Sequence, residues 1–259
     1  MPGALHALDL WSMGAAVLAA ALSCAALVVA ASRWRPLRDW LVARVDFPPM
    51  LPSLVGTLFA LMASFLANAV WTNDDRAHDA VAAEARAITA AGAFLRALPG
   101  DEAGVALRLL SEYVAEAAES EWPAMAGGGE SGRARALLLE IKVAALRIAS
   151  TSPREIATHR EAVEALDQVA EARARRLQVA RLRISPMKWF GVVSLGAMTL
   201  LGIAVVSVRD WRSQALATSL FAIAAALALF VVLAHDQPFV GPNAADPGPL
   251  RDALATVRR

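Results

Sequence analysis

The four histidines and the single cysteine are the residues of this sequence best suited to metal chemistry. They are His6, His78, His159, His235 and Cys24. No two histidines share a helix at the spacing of a zinc or iron site, and one thiol cannot form a disulfide within the chain. We therefore expect no metal site, no cofactor and no intrachain disulfide.

Candidate catalytic groups are equally scattered. Glu112, Glu116 and Glu119 follow the solvated face of an amphipathic helix. The stretch AGGGESG, residues 126–132, has neither the preceding strand nor the Gly-Lys-Ser/Thr ending of a phosphate-binding loop. These patterns predict a chain that is not an enzyme.

The most informative polar residues lie within a long stretch that carries no formal charge. On a helical wheel six residues of this stretch share one sector of roughly a third of the circumference, which gives a mixed polar face. They are Ser53, Thr57, Leu61, Ser64, Phe65 and Asn68. This face is compatible with a helix that lines a pore, in which Leu61 and Phe65 form an apolar constriction.

A second periodicity overlaps the polar face. Gly56, Ala60, Ser64 and Asn68 recur at every fourth position, which lets another helix approach closely. Spacing alone favours such a packing seam over a pore. Because one helix cannot enclose a channel, a pore would require a symmetric oligomer.

The elements that position these residues are helices in a membrane. Hydrophobic residues make up 57% of the 259 and charged residues 19%, and the mean hydropathy is +0.47. Four charge-free stretches have the roughly 20 residues that a transmembrane helix needs. They are Leu10 to Ser32, Phe47 to Asn73, Trp189 to Val208 and Ser213 to His235.

We expect the first stretch to be a retained helix rather than a cleaved signal peptide, because no Lys or Arg precedes it. The net charge of +1 gives no electrostatic reason to expect a nucleic-acid partner. The lipid bilayer is the partner that the composition predicts.

Between the second and third stretches the sequence is rich in Ala, Glu and Arg, which is typical of long amphipathic helices. Apolar residues recur at helical spacing there, and a Ser, Pro and Glu combination is a good helix start at Ser152 to Glu155. We expect antiparallel helices continuous with the second and third transmembrane helices. The predicted stripes are Val81, Ala85, Ile88, Leu95; Leu107, Leu110, Val114; Leu138, Ile141, Ala145, Ile148; and Ile156, His159, Val163, Leu166, Ala170.

The predicted fold class is therefore an all-α membrane protein with four transmembrane helices and a long helical extramembrane domain between the second and third spans. The expected boundaries are 1–73 for the first two spans with an interfacial loop, 74–185 for the extramembrane domain, 186–235 for the last two spans and 236–259 for a C-terminal tail.

A basic run precedes the third span and has three possible uses. It could bind anionic head groups, concentrate anions at a pore mouth, or be a solvated helix face. The run consists of Arg173, Arg175, Arg176, Arg181, Arg183 and Lys188.

Three segments of the sequence resemble a bacterial bestrophin-like membrane protein family of unknown function. They are FALMASFLANAVWTNDDRAHDAVAAEARAI, SEYVAEAAESEWPAM and VVLAHDQPFVGPNAADPGPLRDAL, and the resemblance extends from about Leu51 onward. Its most specific residues are Trp71, Glu84, Glu121, Trp122, Pro123, Asp236, Pro238, Phe239 and Gly241.

That family is remotely similar to the bestrophin channels, which are pentamers of four-span subunits whose second helix lines the pore. The resemblance implies a bestrophin-like homopentamer in the bacterial inner membrane, with an apolar neck of three residues at Thr57, Leu61 and Phe65. The aromatic pair that follows the pore helix in bestrophins falls on Asp74 and Asp75, so the pore mouth would be acidic.

Nothing in HDQPFVGPNAADPGP matches the calcium clasp of the animal channels, so we do not expect calcium gating. Acidic residues at the mouth favour cations and the arginines near residue 175 favour anions, so the permeant inorganic ion stays open. The resemblance places the helical domain in the cytoplasm. By the positive-inside rule, the arginines of the two short loops would instead place those loops in the cytoplasm and the helical domain outside.

The function predicted from the sequence is a homo-oligomeric ion channel with the second transmembrane helix around the pore. The alternative is a non-conducting membrane scaffold or sensor, whose helical domain binds a partner or ligand and whose small residues only pack helices.

Overall fold

The computed structural model describes residues 10–44, 48–240 and 244–259. Within these ranges every regular element is helical and no strand occurs. In chain order they are α1 (Leu10–Ser32), α2 (Arg35–Arg44), α3 (Met50–Arg96), α4 (Asp101–Glu116), a π-helical turn (Ala117–Glu121), α5 (Trp122–Ala126), α6 (Gly132–Leu146), α7 (Pro153–Arg181), α8 (Pro186–Val206), α9 (Trp211–Ala234) and α10 (Gly248–Arg258).

Four of the described helices are long and apolar enough to cross a membrane. They are α1, α3, α8 and α9, where α8 is the apolar part of the stretch Pro153–Val206. The chain is thus an all-α membrane protein with four transmembrane helices, as its sequence predicts. Phe47, the predicted start of the second span, lies outside the described residues, and α3 begins at Met50.

The chain forms two compact units, and α3 contributes residues to both. The first unit, called the membrane unit here, contains the described residues up to Thr72 together with Arg183–Asp236. The second, the helical unit, contains Asn73–Leu182, Gln237–Val240 and Ala244–Arg259.

Glycines let the helices of the membrane unit pack closely. A Cβ built on Gly202 of α8 would lie 3.1 Å from Cγ of Pro52, and one on Gly196 would lie 3.2 Å from the ring of Phe59. Both partners belong to α3, so small residues on α8 fix the distance between these two helices.

A buried polar network also holds the membrane unit together. Gln214 of α9 is 1% exposed, and its amide donates to the Ser32 hydroxyl at 2.9 Å and to the Ala204 carbonyl at 2.7 Å. The Gln214 Oε1 atom accepts from the Ser32 hydroxyl at 3.2 Å, so each polar group of this buried side chain has a partner, as burial in an apolar environment requires. The network joins the ends of α1 and α8 to α9.

The helical unit buries one large apolar core. Its residues include the predicted stripe Val81, Ile88 and Leu95 of α3, and Leu110 and Ile141 from α4 and α6. Between α3 and α4, Gly100 adopts a positive φ of 98°, a conformation in which a Cβ would be strained. The core confirms the helical stripes of α3, α4 and α6.

The start of α7 has the predicted capping box. The Ser152 hydroxyl accepts from the Glu155 backbone N–H, and the Glu155 side chain accepts from the Ser152 backbone N–H. The predicted stripe further along α7 is displaced, because Ile156 is 56% exposed and Ala170 is exposed. Leu166 of the predicted stripe is buried, and the buried face of α7 also carries Ala162, Ala165, Val169, Ala172, Arg173, Arg176, Leu177 and Val179.

The expected continuity between the helical domain and the third span is wrong. Helix α7 ends at Arg181 and α8 begins at Pro186, with Leu182 in an extended conformation. Proline disfavours helical geometry at the residue before it, here Ser185, so the chain breaks between the two helices. The expected continuity of the second span with the following helix is confirmed by the single helix α3.

The segment expected as a C-terminal tail contains α10, an amphipathic helix within the helical unit. Leu250, Ala253 and Val257 are buried in its core. The guanidinium of Arg96, at the end of α3, donates to the carbonyls of Thr256 and Val257 at 2.8 and 3.0 Å. These bonds satisfy carbonyls of the last turn of α10, which have no partner within their own helix.

Candidate functional site

The polar face predicted on the second span lies on the exposed side of α3 in the membrane unit. Leu61 is 50% exposed and Phe65 is 63% exposed. The opposite side packs into the apolar core of the unit through Phe59, Ala63, Leu66 and Val70. All six predicted pore-lining residues are exposed: Ser53, Thr57, Leu61, Ser64, Phe65 and Asn68.

Two hydroxyl groups on this face bond to their own helix. Thr57 donates to the carbonyl of Ser53 and Ser64 to that of Ala60, both at 2.9 Å. Such bonds let hydroxyls sit in an apolar span at little cost.

Asn68 differs from these hydroxyls. Its side-chain amide has no hydrogen-bond partner among the residues that the structure describes. An exposed amide in the hydrocarbon of a membrane costs several kcal/mol by order of magnitude unless it is paired. This part of α3 therefore suits water or another chain better than lipid.

The small-residue seam is largely unoccupied within one chain. A Cβ on Gly56 would lie 3.3 Å from the methyl group of Thr199, so this position does pack closely against α8. Ala60, Ser64 and Asn68 are exposed. A helix that used the rest of the seam would have to come from another molecule.

Asp74 and Asp75, the predicted pore-mouth residues, lie on α3 within the helical unit. Asp75 is exposed, whereas the Asp74 side chain retains 26% exposure, with the Nδ1 atom of His78 3.9 Å from Oδ2. That nitrogen also lies 3.0 Å from the Asp74 carbonyl oxygen. Asp75 is thus the freer of the two carboxylates.

The helical unit contains a second site, a buried ionic cluster around Arg176 of α7. Arg176 Nε donates to Glu84 Oε2 at 2.6 Å, and Nη2 donates to Glu121 Oε2 at 2.8 Å. The neighbouring Arg173 donates through Nη2 to Glu121 Oε1 at 2.5 Å. The side chains of Arg176, Glu84 and Glu121 are 0% exposed, so two guanidinium groups balance two carboxylates away from solvent.

Neutral donors and acceptors complete this cluster. The Tyr113 hydroxyl donates to Glu84 Oε1 at 2.5 Å, and the Ser131 backbone N–H donates to Glu121 Oε1 at 3.0 Å. The remaining Arg176 nitrogen, Nη1, contacts the sulfur of Met125. Residues of α3, α4, the π-helical turn, α5, α7 and the loop before α6 thereby meet in one cluster around Arg176.

The cluster shifts the pKa values of three of its members, Tyr113, Glu121 and Arg176. Burial raises the pKa of Tyr113 well above its ordinary value, and the Glu84 charge raises it further. Burial would raise the pKa of Glu121, but the hydrogen bond from Arg173 and the charge of Arg176 outweigh burial and lower it. Burial would likewise lower the pKa of Arg176, but Glu84 outweighs it and raises that pKa. The carboxylate of Glu121 and the guanidinium of Arg176 are therefore both held in their charged forms.

The uses proposed for the basic run do not apply to Arg173 and Arg176. Both are buried, so neither meets head groups, permeating ions or bulk solvent. Arg175 pairs with Glu171 at 2.5 Å and Arg181 approaches Glu130 at 3.7 Å, both on the surface. Sequence reasoning missed the role of the buried pair, although Arg173 stands seven positions after Leu166, a residue of the predicted apolar stripe that is buried.

No group of three or more His, Cys, Asp or Glu side chains among the described residues could hold a metal ion. Residues 15–250 match the model of the Bestrophin-like domain. The chain belongs to the bestrophin-like family.

Solved structures show the same fold as this bestrophin-like chain. A bacterial bestrophin homolog from Klebsiella pneumoniae is 15% identical with a TM-score of 0.67, and the match covers 94% of this chain and 95% of that one. A point variant of a bacterial bestrophin homolog from the same organism is 12% identical with a TM-score of 0.73, and covers 95% and 99%. No curated protein sequence is significantly similar.

Four of the residues on which the bestrophin-like resemblance rests meet in the helical unit. Glu84 and Glu121 bind Arg176, and the ring of Trp122 lies 5.7 Å from its guanidinium carbon. Trp122 packs edge-to-face on Phe239, with ring centroids 5.4 Å apart. Residues far apart in the sequence thus surround one buried arginine.

The other family residues are dispersed. Trp71 is 52% exposed on α3, Pro123 is exposed in the first turn of α5, and the Pro238 carbonyl accepts from the Ala245 N–H at 2.8 Å. In the membrane unit, Asp236 Oδ1 accepts from the Ile184 N–H at 3.4 Å. Gly241 lies outside the described residues.

Proposed function

We propose that this bestrophin-like chain is the subunit of a homopentameric ion channel of the bacterial inner membrane, in which α3 lines the pore. The bestrophin-like fold suggests a channel of the bestrophin family. The proposal adds to this suggestion the pentameric state, the pore-lining role of α3 and the inner membrane as the location. The pentameric number comes from the family resemblance.

The exposed polar face of α3 is the observation that carries the proposal. The face combines the unpaired amide of Asn68 with the exposed side chains of Leu61 and Phe65, while the opposite side of the helix packs inside the membrane unit. A transmembrane helix that faced only lipid would have no use for the amide. A water-filled axis between identical subunits would satisfy it.

Rotational symmetry would complete the wall of the pore. One copy of α3 presents one wall, and a ring of copies related by a rotation axis encloses the space between equivalent faces. The small residues Ala60 and Ser64 lie at one edge of the exposed face, where a neighbouring helix could approach closely. Helix packing and pore lining would then use different edges of the same helix, α3.

The neck would consist of Thr57, Leu61 and Phe65. These residues are spaced by four, so they rise about 6 Å per step and give a neck of about 12 Å. Rings of Leu61 and Phe65 would be narrow and apolar, and such constrictions gate by losing and regaining water. Thr57 would make one end of the neck more polar.

We propose cations as the permeant ions. The arginines that argued for anions are largely neutralised in the helical unit, since Arg173 and Arg176 are buried with carboxylates and Arg175 pairs with Glu171. Asp75 is exposed and has no ion-pair partner among the described residues. Carboxylate rings favour cations at a pore mouth.

Ion flux through the purified protein in liposomes tests this proposal. The Leu61→Ala, Phe65→Ala double variant should widen the neck and carry more potassium flux than the wild type, with the oligomer mass unchanged. The matched control is Leu220→Ala, Phe190→Ala, which removes residues of the same types and of somewhat greater exposure, 67% and 69%, from α9 and α8.

We expect the control variant to conduct like the wild type. The absence of ion flux through all three proteins after verified incorporation would contradict the channel proposal and favour the scaffold or sensor. A monomer or dimer in detergent would make a central α3 pore impossible.

A further inference from the structure

An apolar groove lies between α1 and α9 in the membrane unit. It has a volume of about 500 Å³ and ends at two polar residues, Arg33 and Trp211. Its walls are Leu22, Ala25, Ala26, Val29, Ala30, Ala215 and Ser219. Small side chains leave this space open, since alanines provide most of the walls.

Arg33 lines the mouth of the groove, and Arg212 is next in sequence to Trp211, which also lines it. The guanidinium carbons of Arg33 and Arg212 each lie 5.8 Å from the Trp211 ring centroid, within the range of cation–π contact. Neither arginine forms an ion pair with a carboxylate of the described residues. The adjacent acid, Asp210, accepts instead from the Ser213 hydroxyl at 2.5 Å and from the Arg212 backbone N–H at 3.1 Å.

The groove has the length of one membrane leaflet. From Leu22 to Ser32, the last residue of α1, the helix axis rises about 15 Å, at 1.5 Å per residue. Half of a hydrocarbon core is about 15 Å thick. An acyl chain in the groove would therefore end near the middle of the bilayer when its head group lies beside Arg33.

We propose that this groove binds an anionic phospholipid, with the acyl chain between α1 and α9 and the phosphate held by Arg33 and Arg212. Charge complementarity supports this occupant, because two cations without carboxylate partners border an apolar slot. Tryptophan and arginine at the end of a transmembrane helix are suited to the head-group region. The proposal does not depend on conduction by α3.

Lipid binding to the purified full-length protein tests this inference. Native mass spectrometry would measure retention of phosphatidylglycerol against phosphatidylcholine. Each arginine near an anionic surface contributes enough for about a 5-fold change in affinity, so Arg33→Gln, Arg212→Gln should weaken phosphatidylglycerol binding about 25-fold.

The matched control is Arg35→Gln, Arg38→Gln, which removes the same charge from exposed positions on α2 that do not line the groove. It should retain most of the phosphatidylglycerol affinity. Ala26→Trp fills the groove with both arginines in place and should displace the bound lipid. Excess inorganic phosphate should not displace it, because the acyl chain supplies much of the binding.

Three results would overturn the proposal. Equal retention of the two lipids by the wild type would show that the groove has no preference for an anionic lipid. Equal losses of phosphatidylglycerol affinity in both double variants would show that only the net charge matters. A smaller oligomer from Ala26→Trp with unchanged lipid retention would show that a second copy of the chain covers the groove.

Discussion

Replacing Arg176 by Met should destabilise the helical unit far more than the removal of an exposed charge. Arg176 is fully buried and pairs with Glu84 at 2.6 Å and with Glu121 at 2.8 Å. Met removes the positive charge but keeps an apolar side chain of similar length. Glu121 retains Arg173, whereas Glu84 keeps only the Tyr113 hydroxyl as its side-chain hydrogen-bond donor.

The magnitude follows from the unpaired carboxylate. Breaking a buried ion pair by removing one partner costs about 3–5 kcal/mol, because the other charge stays buried. In a protein of this size about 2–4 °C of melting temperature corresponds to each kcal/mol, so the loss should be about 6–20 °C. Arg176→Met, Glu84→Gln removes the orphaned charge and should recover about 1–3 kcal/mol.

Thermal unfolding of the purified protein in detergent at pH 7 measures these differences. The control is Lys142→Met, which breaks the exposed pair between Lys142 and Asp167 at 2.5 Å. That pair should contribute less than about 1 kcal/mol. Equal melting temperatures for Arg176→Met and Lys142→Met would refute the reasoning, and so would a double variant less stable than Arg176→Met.

Three further changes test other parts of the structure. Glu121→Gln should destabilise the protein at pH 7, but the deficit should shrink as pH falls below about 4.5, because the lowered pKa of Glu121 gives wild-type stability that acid removes; parallel melting curves from pH 7 to pH 3 would contradict this. Gly202→Ala, with its Cβ 3.1 Å from Pro52, should cost about 1–3 kcal/mol in thermal unfolding, whereas Gly104→Ala, whose Cβ would meet only Arg108 Nη1 at 4.0 Å, should be neutral or stabilising; equal effects would contradict the packing argument. Asp75→Asn should reduce the potassium-to-chloride permeability ratio in liposomes, and an unchanged ratio would remove Asp75 from the pore mouth.

Local patterns predicted much of the fold. The stripe of Val81, Ile88 and Leu95 and the capping box at Ser152 depend on residues close in sequence, so spacing alone is enough to find them. The helix break before Pro186 could also have been predicted from the local sequence, since proline restricts the conformation of the residue before it. Continuity across this break was the wrong expectation.

The buried ionic cluster could not be assembled from local patterns. Glu84 and Arg176 are 92 positions apart, and charged residues on a helix usually face solvent. The family resemblance drew attention to Glu84 and Glu121, but not to their arginine partners. The burial of Arg173 and Arg176 becomes evident only in the folded chain, where they meet Glu84 of α3 and Glu121 of the π-helical turn.

The exposed face of α3 was found from a helical wheel, and its role stays a prediction. Ser64 and Phe65 are exposed in one chain, but the surface they meet belongs to other molecules. Their partners depend on assembly, which neither helical periodicity nor the fold of one subunit determines.

Conduction along the α3 face is tested most directly by the accessibility of a cysteine at Leu61. In a Cys24→Ala background, the single thiol of Leu61→Cys would be exposed to a charged, water-soluble thiol reagent during current recording in lipid bilayers. We predict that the reagent blocks the potassium current of Leu61→Cys and leaves that of Leu220→Cys unchanged. No current from the incorporated protein, or a current that the reagent affects equally in both variants, would contradict a pore lined by α3.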